Sequence, residues 1–273
     1  MKMNDKFPSI GVLGSQVNIL TLEDAVGMIR RFIEDPDGKC HHVVAAGFHG
    51  LWEAHRDPSV YHILNSADLW IPDGVAPVWM ARLKGIKTAR RIPGAELMHE
   101  VLRSAEEKGY RSFFYGDTTE TLGRLTENIR VKYCGHVIAG ALSPPFRSLT
   151  PEEDDEIVRT INKAKPDIVW VGLGMPKQDA WIFFHKYRLN ARVAIGVGAA
   201  FRFLAGMVHR APQVVGDFGF EWAWRFAMEP GKLWRRDFID GPQFLFHVML
   251  ELAGIRKYDY GAKATQIEAE RLT

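Results

Sequence analysis

Short apolar runs alternate with segments of helical period between residues 42 and 198. Such alternation is typical of βα units wound on a mostly parallel sheet. The pattern therefore predicts an α/β fold with four clear strands and two weaker ones. The clear strands are 42–48, 110–115, 168–172 and 192–196, and the weaker ones are 68–71 and 136–139.

Capping signals mark several turns and helix starts. Thr150 is followed by Pro151 and Glu153, which predicts a capped helix whose first turn carries the acidic run 152–156. Residues 35–38 read Asp-Pro-Asp-Gly, and we interpret them as a turn between a helix and a strand and not as a metal-binding pair of aspartates.

Aromatic side chains and cations become dense after residue 212. The aromatic residues are Phe218, Phe220, Trp222, Trp224, Phe226, Trp234, Phe238, Phe244 and Phe246, and the cations are Arg225, Lys232, Arg235 and Arg236. Pro230 and Pro242 cut this stretch into helices shorter than the roughly 20 residues that cross a bilayer. Three interpretations remain open: core packing, an amphipathic surface that lies on a membrane, or an oligomer interface.

Composition and charge narrow the classes of function. The chain has 273 residues and 35 Lys and Arg against 33 Asp and Glu, so a net charge of +2 gives no chain-wide field that would bind nucleic acid. Cys40 and Cys134 form no CxxC pair, which argues against a zinc site and for a reducing cytosol. We expect neither a signal peptide nor a membrane span, because no apolar run approaches about 18 residues.

Glycine-rich turns follow most of the predicted strands. In a parallel sheet, ligands bind beyond the carboxyl ends of the strands, so these turns are the candidate site. They comprise residues 47–50, 72–74, 116–118, 172–178 and 196–199. The turn 172–178, GLGMPKQ, offers free backbone N–H groups and Lys177 to a diphosphate. Tight strand-to-helix turns without a ligand are the other interpretation.

The GLGMPKQ turn does not match the common phosphate-binding motifs. It lacks the third glycine of the dinucleotide fingerprint and the acidic residue about 20 positions further on. It also lacks the Walker spacing. An oxidoreductase is therefore a disfavoured rival.

Two side chains in the candidate site have competing roles. Asp73 follows a strand and precedes a helix, so it is either a general base or an N-cap. His49 is a general base, a phosphate ligand or a loop imidazole.

Several loop motifs occur in a fixed order along the chain. They are ADLWIPDG (67–74), RIPG (91–94), GLGMPKQ (172–178), GVGAAFRFLAGMVHRAP (196–212), GFEWAWR (219–225) and EPGKLWRR (229–236). Together they resemble the WecG/TagA/CpsF family of bacterial glycosyltransferases, and the resemblance extends from about residue 10 to residue 246.

The resemblance implies a Rossmann-like fold of the GT-E type and an inverting transferase that works without a metal or other cofactor. Its substrates would be a UDP-sugar donor and a polyprenyl-diphosphate-linked saccharide acceptor, in the synthesis of a cell-surface polysaccharide. The proposed base of the family corresponds to Asp73, and its conserved arginine and glutamine correspond to Arg91 and Gln178. We place His49 beside Asp73 and Arg91 as a catalytic candidate. The expected substrate-binding residues are Gly74, Gly94, Gly116, Asp117, Gly172, Gly174, Lys177, Gln178, Gly196, Gly198, Arg210, Arg225 and Arg235.

The resemblance also implies an organisation and a location. We expect an α/β glycosyltransferase domain at residues 1–207, a helical membrane-facing appendage at 208–256 and a polar tail at 257–273. The protein would be cytoplasmic and peripheral at the inner face of the cell membrane, with a homo-oligomer possible and no nucleic-acid partner.

The chain departs from the family pattern after the first predicted strand of the site. Ala45 and Gly47 stand where members commonly have Thr and Asn, and His49 is kept. Asp179 replaces the usual Glu after PKQ, and Arg202 and Phe203 replace a common Phe-Asp pair. The first departure suggests a second hypothesis, that the chain is a catalytically impaired nucleotide-sugar-binding protein.

Overall fold

A six-stranded parallel sheet lies at the centre of the fold, in a computed structural model that describes residues 7–208, 221–228 and 230–258. The strands are β1 (Ser9–Val12), β2 (Ser15–Asn18), β3 (His41–Ala46), β4 (Leu69–Pro72), β5 (Arg111–Gly116), β6 (Val137–Leu142), β7 (Ile168–Gly172) and β8 (Val193–Gly196). The parallel sheet has the order β4-β3-β8-β7-β5-β6, and all its neighbouring strands pair in parallel. The predicted α/β class and the six predicted strands are confirmed.

The predicted and observed strands differ mainly at their ends. The strand predicted at 42–48 ends at Ala46, because Gly47 leaves the sheet as the residue that precedes a helix starting at Phe48. The weak candidate at 136–139 extends to Leu142 and pairs with β5. Only the strand at 168–172 coincides with its prediction at both ends.

Helices cover both faces of the sheet. They are α1 (Leu22–Ile33), α2 (Phe48–Arg56), α3 (Pro58–Asn65), α4 (Val75–Leu83), α5 (Gly94–Lys108), α6 (Thr119–Lys132), α7 (Pro151–Ala164), α8 (Lys177–His185), α9 (Ala200–Leu204), α10 (Glu221–Met228), α11 (Pro230–Arg235), a π-helix (Arg236–Asp240) and α12 (Gly241–Leu252). Buried side chains of α1, α5, α6 and α9 form one core on one face. Those of α2, α3, α4, α7 and α8 form two cores on the other. The fold is thus the three-layer, doubly wound arrangement that is called Rossmann-like.

Local signals explain where these helices begin. Thr150 caps α7, Pro151 is its first residue, and Glu153 completes the capping box, as predicted. The acidic run at its start is used in surface pairing, with Asp154 bonded to His185 Nε2 at 2.8 Å. Asp35 also behaves as predicted, because its Oδ1 accepts the Asp37 N–H at 3.1 Å in a turn.

An N-terminal hairpin, which was not predicted from the sequence, precedes the parallel sheet. β1 and β2 are antiparallel and are joined by Leu13 and Gly14, both with positive φ, as a tight two-residue hairpin turn requires. The Asn18 side chain accepts the backbone N–H of Trp70 at 3.0 Å. The hairpin therefore covers the outer side of the edge strand β4, where an open ladder would otherwise be available for aggregation.

The C-terminal helices pack partly on the α/β core. Phe244 and Val248 of α12 belong to the same core as α2 and α4. Asp240 accepts the indole N–H of Trp52 at 3.2 Å, and Glu251 accepts the Leu13 N–H at 2.9 Å. These contacts join the segment to the core at several points.

Other aromatic side chains of the same segment face outward. Trp224, Trp234, Phe238 and Phe246 are exposed, and Phe226 packs against Phe238 at a ring-centroid distance of 5.0 Å. Core packing is therefore wrong as the sole interpretation of the described aromatics. Phe218 and Phe220 lie outside the described residues, as does the side chain of Trp222.

Candidate active site

The connections that follow two adjacent central strands run to opposite faces of the sheet. β3 and β8 are hydrogen-bonded neighbours. β3 continues into α2 on one face, whereas β8 continues into α9 on the other. The divergence of the two connections opens a crevice at the carboxyl ends of these strands, which is where doubly wound sheets bind ligands.

A cleft of about 340 Å³ occupies this position. Loops after β3, β4, β7 and β8 form its wall, together with the 91–95 segment and one residue of the π-helix. Of the predicted site residues it brings together His49, Asp73, Gly74, Arg91, Gly94, Gly174, Gln178 and Gly198.

Asp73 is held by a backbone contact between two loops. A Cβ atom on Gly47 would lie 2.0 Å from the Asp73 carbonyl oxygen, so only glycine permits this approach. The carboxylate lies beside the 91–95 segment, because a Cβ on Gly94 would be 3.6 Å from Asp73 Oδ2. Gly74, with φ of +115°, occupies the N-cap position of α4, so Asp73 precedes the cap and the N-cap interpretation is wrong.

Arg91 reaches the cleft from the connection between α4 and α5. Ile92 donates its N–H to the Pro72 carbonyl at 2.9 Å, which fixes this connection beside the end of β4. α5 then begins at Gly94, next to Asp73. The RIPG segment thus brings the Arg91 guanidinium into the same cleft as the Asp73 carboxylate.

His49 lies in the first turn of α2 and lines the cleft. Burial lowers the pKa of His49, Glu53 opposes this shift, and Arg236 reinforces it. The lowered pKa favours the neutral imidazole. Its Nδ1 is buried and has no hydrogen-bond partner among the described residues.

Gln178 fixes the shape of the opposite wall. Its side chain is 2% exposed, and its Oε1 accepts the Gly198 N–H at 2.9 Å. Gly174 and Gly198 both have positive φ, which favours glycine in these turns. Lys177 precedes Gln178 but is exposed and does not line the cleft, contrary to the expectation that it faces a diphosphate there.

Three further predicted glycines serve sheet packing and do not line the cleft. A Cβ atom on Gly116 would lie 2.6 Å from the carbonyl carbon of Gly172. A Cβ atom on Gly172 would lie 2.5 Å from the Phe201 ring. A Cβ on Gly196 would lie 2.7 Å from Gln178 Nε2. Their glycine requirement therefore comes from close packing of strands and side chains.

Asp117 also lies outside the cleft lining. Its carboxylate accepts hydrogen bonds from Arg202 Nε at 2.9 Å, Thr118 N at 2.8 Å and Thr121 Oγ1 at 2.9 Å. Burial alone raises the pKa of Asp117, but the hydrogen bonds from Arg202, Thr118 and Thr121 lower it overall. The residue thus joins the loop after β5 to α9.

Among its described residues, the C-terminal segment supplies one that lines the cleft, and it is none of the three arginines expected. Arg236 lines the cleft, with its guanidinium 5.8 Å from the Phe48 ring centroid and its Nε 2.6 Å from Asp237 Oδ1. Arg235 is exposed and does not line it. Arg210 and the side chain of Arg225 lie outside the described residues. The signal for Arg236 was present, since it ends the EPGKLWRR motif.

The described parts of the chain contain neither a metal-binding cluster nor a membrane-spanning helix. Within residues 7–208, 221–228 and 230–258, no group of three or more His, Cys, Asp or Glu side chains could hold a metal ion. No helix in the same ranges is long and apolar enough to span a bilayer.

The fold and the cleft together define the class of protein. A doubly wound parallel sheet that gathers a carboxylate, an imidazole and two guanidinium groups at its topological switch point is a Rossmann-like α/β enzyme site. The chain matches the Glycosyl transferase WecG/TagA/CpsF family over residues 10–258 and belongs to that family. It is therefore a glycosyltransferase, and the resemblance drawn from the motifs is confirmed.

Relatives with named activities agree with this assignment. The chain is 34% identical over 187 residues to a protein of Bacillus spizizenii, covering 68% of this chain and 70% of that protein. It is 27% identical over 248 residues to a Staphylococcus aureus protein, covering 91% and 95% of the two chains. A Bacillus subtilis protein is 29% identical over 198 residues, covering 72% and 75%. All three are named N-acetylglucosaminyldiphosphoundecaprenol N-acetyl-beta-D-mannosaminyltransferase.

Proposed function

We propose that this glycosyltransferase moves a sugar, with inversion, from a UDP-sugar to a polyprenyl-diphosphate-linked saccharide in the synthesis of a cell-surface polysaccharide. The names of its relatives make N-acetylmannosamine the first donor sugar to test and N-acetylglucosaminyl-diphosphoundecaprenol the first acceptor. Their β-linked product supports inversion, because an α-linked UDP donor gives a β-linked product only if the anomeric carbon inverts.

The observation that carries the proposal is the position of Asp73 in the cleft, beside Gly94 and together with Arg91 and His49. In the reaction, the acceptor hydroxyl oxygen forms a bond to the anomeric carbon while the bond to the UDP oxygen breaks. Asp73 takes the hydroxyl proton as general base. One base and one cationic wall are sufficient for this displacement.

The departing diphosphate would be stabilised by positive charge and backbone N–H groups. Arg91 and Arg236 line the cleft, and the glycine turns at 174 and 198 bring backbone close to it. Cations and hydrogen-bond donors stabilise a transition state most where negative charge develops. We propose that these groups, and not a bound metal ion, neutralise the leaving UDP.

The neutral His49 has a different role in this proposal. Its lowered pKa favours the uncharged ring, so we assign it no part in charge neutralisation. We assign it to hydrogen bonding with the bound substrates next to Asp73.

The test mixes the purified full chain with UDP-N-acetylmannosamine and N-acetylglucosaminyl-diphospholipid, and it measures UDP release and the disaccharide lipid by mass spectrometry. Transfer that is unchanged in EDTA supports both the reaction and its independence of metal. Activity abolished by EDTA and restored by magnesium or manganese contradicts the metal-independent part. Binding of UDP-sugars without transfer to any lipid acceptor favours the impaired binding protein that Ala45 and Gly47 suggest. Failure to bind any UDP-sugar overturns the proposal.

A further inference from the structure

A histidine and an aspartate form a fully buried pair beneath the cleft. His42 lies on β3 and Asp179 in the first turn of α8, and the side chains of both have 0% exposure. His42 Nε2 and Asp179 Oδ1 are 3.3 Å apart. Neither residue lines the cleft, so the proposed chemistry does not use them.

Two polar atoms of this pair lack hydrogen-bond partners among the described residues. They are Asp179 Oδ2 and His42 Nδ1, and both are buried. Buried polar atoms are usually paired, because leaving them unpaired costs free energy that an apolar side chain would not cost. A polar pair with this cost points to a role other than filling space.

The contacts of Asp179 connect the pair to the cleft wall. Asp179 follows Gln178, and both side chains press on Gly196, where a Cβ would lie 2.8 Å from Asp179 Oδ1 and 2.7 Å from Gln178 Nε2. Gln178 in turn holds the Gly198 N–H at 2.9 Å. The first turn of α8 is thus fixed below by His42 and carries Gln178 against the Gly198 turn above.

We propose that His42 and Asp179 are a positioning pair that holds Gln178 and the Gly198 turn in the geometry that binds the donor diphosphate. The identity of the bound ligand rests on the proposed function, whereas the positioning of Gln178 by the pair does not. Neither side chain contacts a reacting atom. The pair acts through Gln178, so loss of the pair weakens donor binding more than it slows the chemical step.

The experiment compares Asp179→Asn and His42→Gln with the unaltered protein. Each variant is expected to raise the KM for the UDP-sugar and the Kd for UDP about tenfold, with a much smaller change in kcat, because the shift of Gln178 affects donor binding and not the reacting atoms. In a Gln178→Ala background, Asp179→Asn is expected to add little, because residues that act through one contact are not additive. Two variants at separate positions keep the test decisive if one of them fails to fold.

The adjacent residue offers a matched control. His41 is as buried as His42 and bonds Asp35 Oδ2 at 2.8 Å, but it stacks on Phe32 at 4.1 Å on the opposite face of the sheet. His41→Gln should lower the melting temperature without changing the KM for the donor. The proposal is overturned if His42→Gln and Asp179→Asn lower the melting temperature but leave KM and the Kd for UDP at their original values. It is also overturned if His41→Gln raises both as much.

A readout without substrate separates this inference from the proposed function. Hydrogen exchange of the peptide that contains Gly198 reports the N–H bonded to Gln178. Asp179→Asn should accelerate this exchange, whereas His41→Gln should not. If the unaltered chain fails to bind UDP but the exchange responds as expected, the donor assignment is wrong and the positioning pair stands. Unchanged exchange in Asp179→Asn contradicts the pair.

Discussion

At the residue scale, Gly47 is the position where the cleft tolerates least change. A Cβ there would lie 2.0 Å from the Asp73 carbonyl oxygen, and backbone cannot move aside as a flexible side chain can. We predict that Gly47→Ala displaces the Asp73 loop, lowers the free energy of unfolding by about 1–3 kcal/mol and reduces transfer. Chemical denaturation and the transfer assay check this.

Gly123 provides the control for that substitution. It lies in the interior of α6 with nothing within 4 Å of an added Cβ, so Gly123→Ala should be neutral or stabilise by about 0.5–1 kcal/mol. If Gly47→Ala behaves like Gly123→Ala, the close contact between the two loops is not a feature of the protein in solution.

The candidate site could be predicted from the sequence because ligands bind at the carboxyl ends of parallel strands, but this rule does not say which strand ends lie side by side. Gly198 lies in the turn after β8 and Gly116 is the last residue of β5, yet only Gly198 lines the cleft, because the strand order places β8 and not β5 beside β3. The order of strands depends on contacts distant in sequence. Similarly, Arg235 and Arg236 are neighbours in sequence, but α11 ends at the first and the π-helix begins at the second, and only Arg236 faces the cleft.

At the element scale, α12 has two apolar stripes with different surroundings. Phe244 and Val248 are spaced to share one side of the helix, and this side meets the core. Glu251 follows on that side and accepts the Leu13 N–H. Residues 245, 249 and 252 share another side and are exposed. The dense aromatic residues and the prolines of this stretch predicted short helices but left open which side packs, because apolar residues lie on both sides of α12.

Two phenylalanines of α12 allow a direct test of this description. Phe244 is 2% exposed and Phe246 is 55% exposed. Phe244→Ala should lower the free energy of unfolding by about 3–5 kcal/mol, as the loss of a buried aromatic ring does. Phe246→Ala should change it by no more than about 0.5 kcal/mol. Equal effects in thermal or denaturant unfolding would mean that α12 does not pack on α2 as described.

At the scale of the whole molecule, the exposed apolar surface of the C-terminal helices suggests how the enzyme would meet the lipid-linked acceptor that we propose. Apolar side chains that enter the lipid interface, with cations nearby, bind anionic bilayers peripherally. We predict that the protein floats with anionic liposomes at low salt and that replacing Leu245 and Met249 by Ser weakens flotation without lowering the melting temperature. Both side chains are exposed in α12.

The control for flotation uses exposed apolar residues elsewhere. Val131 and Phe146 are strongly exposed outside the C-terminal helices, so replacing them by Ser should leave flotation unchanged. An unaltered protein that stays in the pellet at low salt would contradict membrane docking through this surface. Association into a defined oligomer that the Leu245 and Met249 substitutions abolish would instead support the interface interpretation.

The most direct test of the whole account is the effect of Asp73→Asn on transfer and on donor binding, measured on the same preparation. The substitution keeps the size of the side chain next to Gly94 and removes its basicity. Turnover should fall about 100-fold or more, the usual consequence of losing a general base, while the Kd for UDP and the melting temperature stay close to those of the unaltered protein. Near-normal turnover in Asp73→Asn would contradict the assignment of this cleft as the catalytic site.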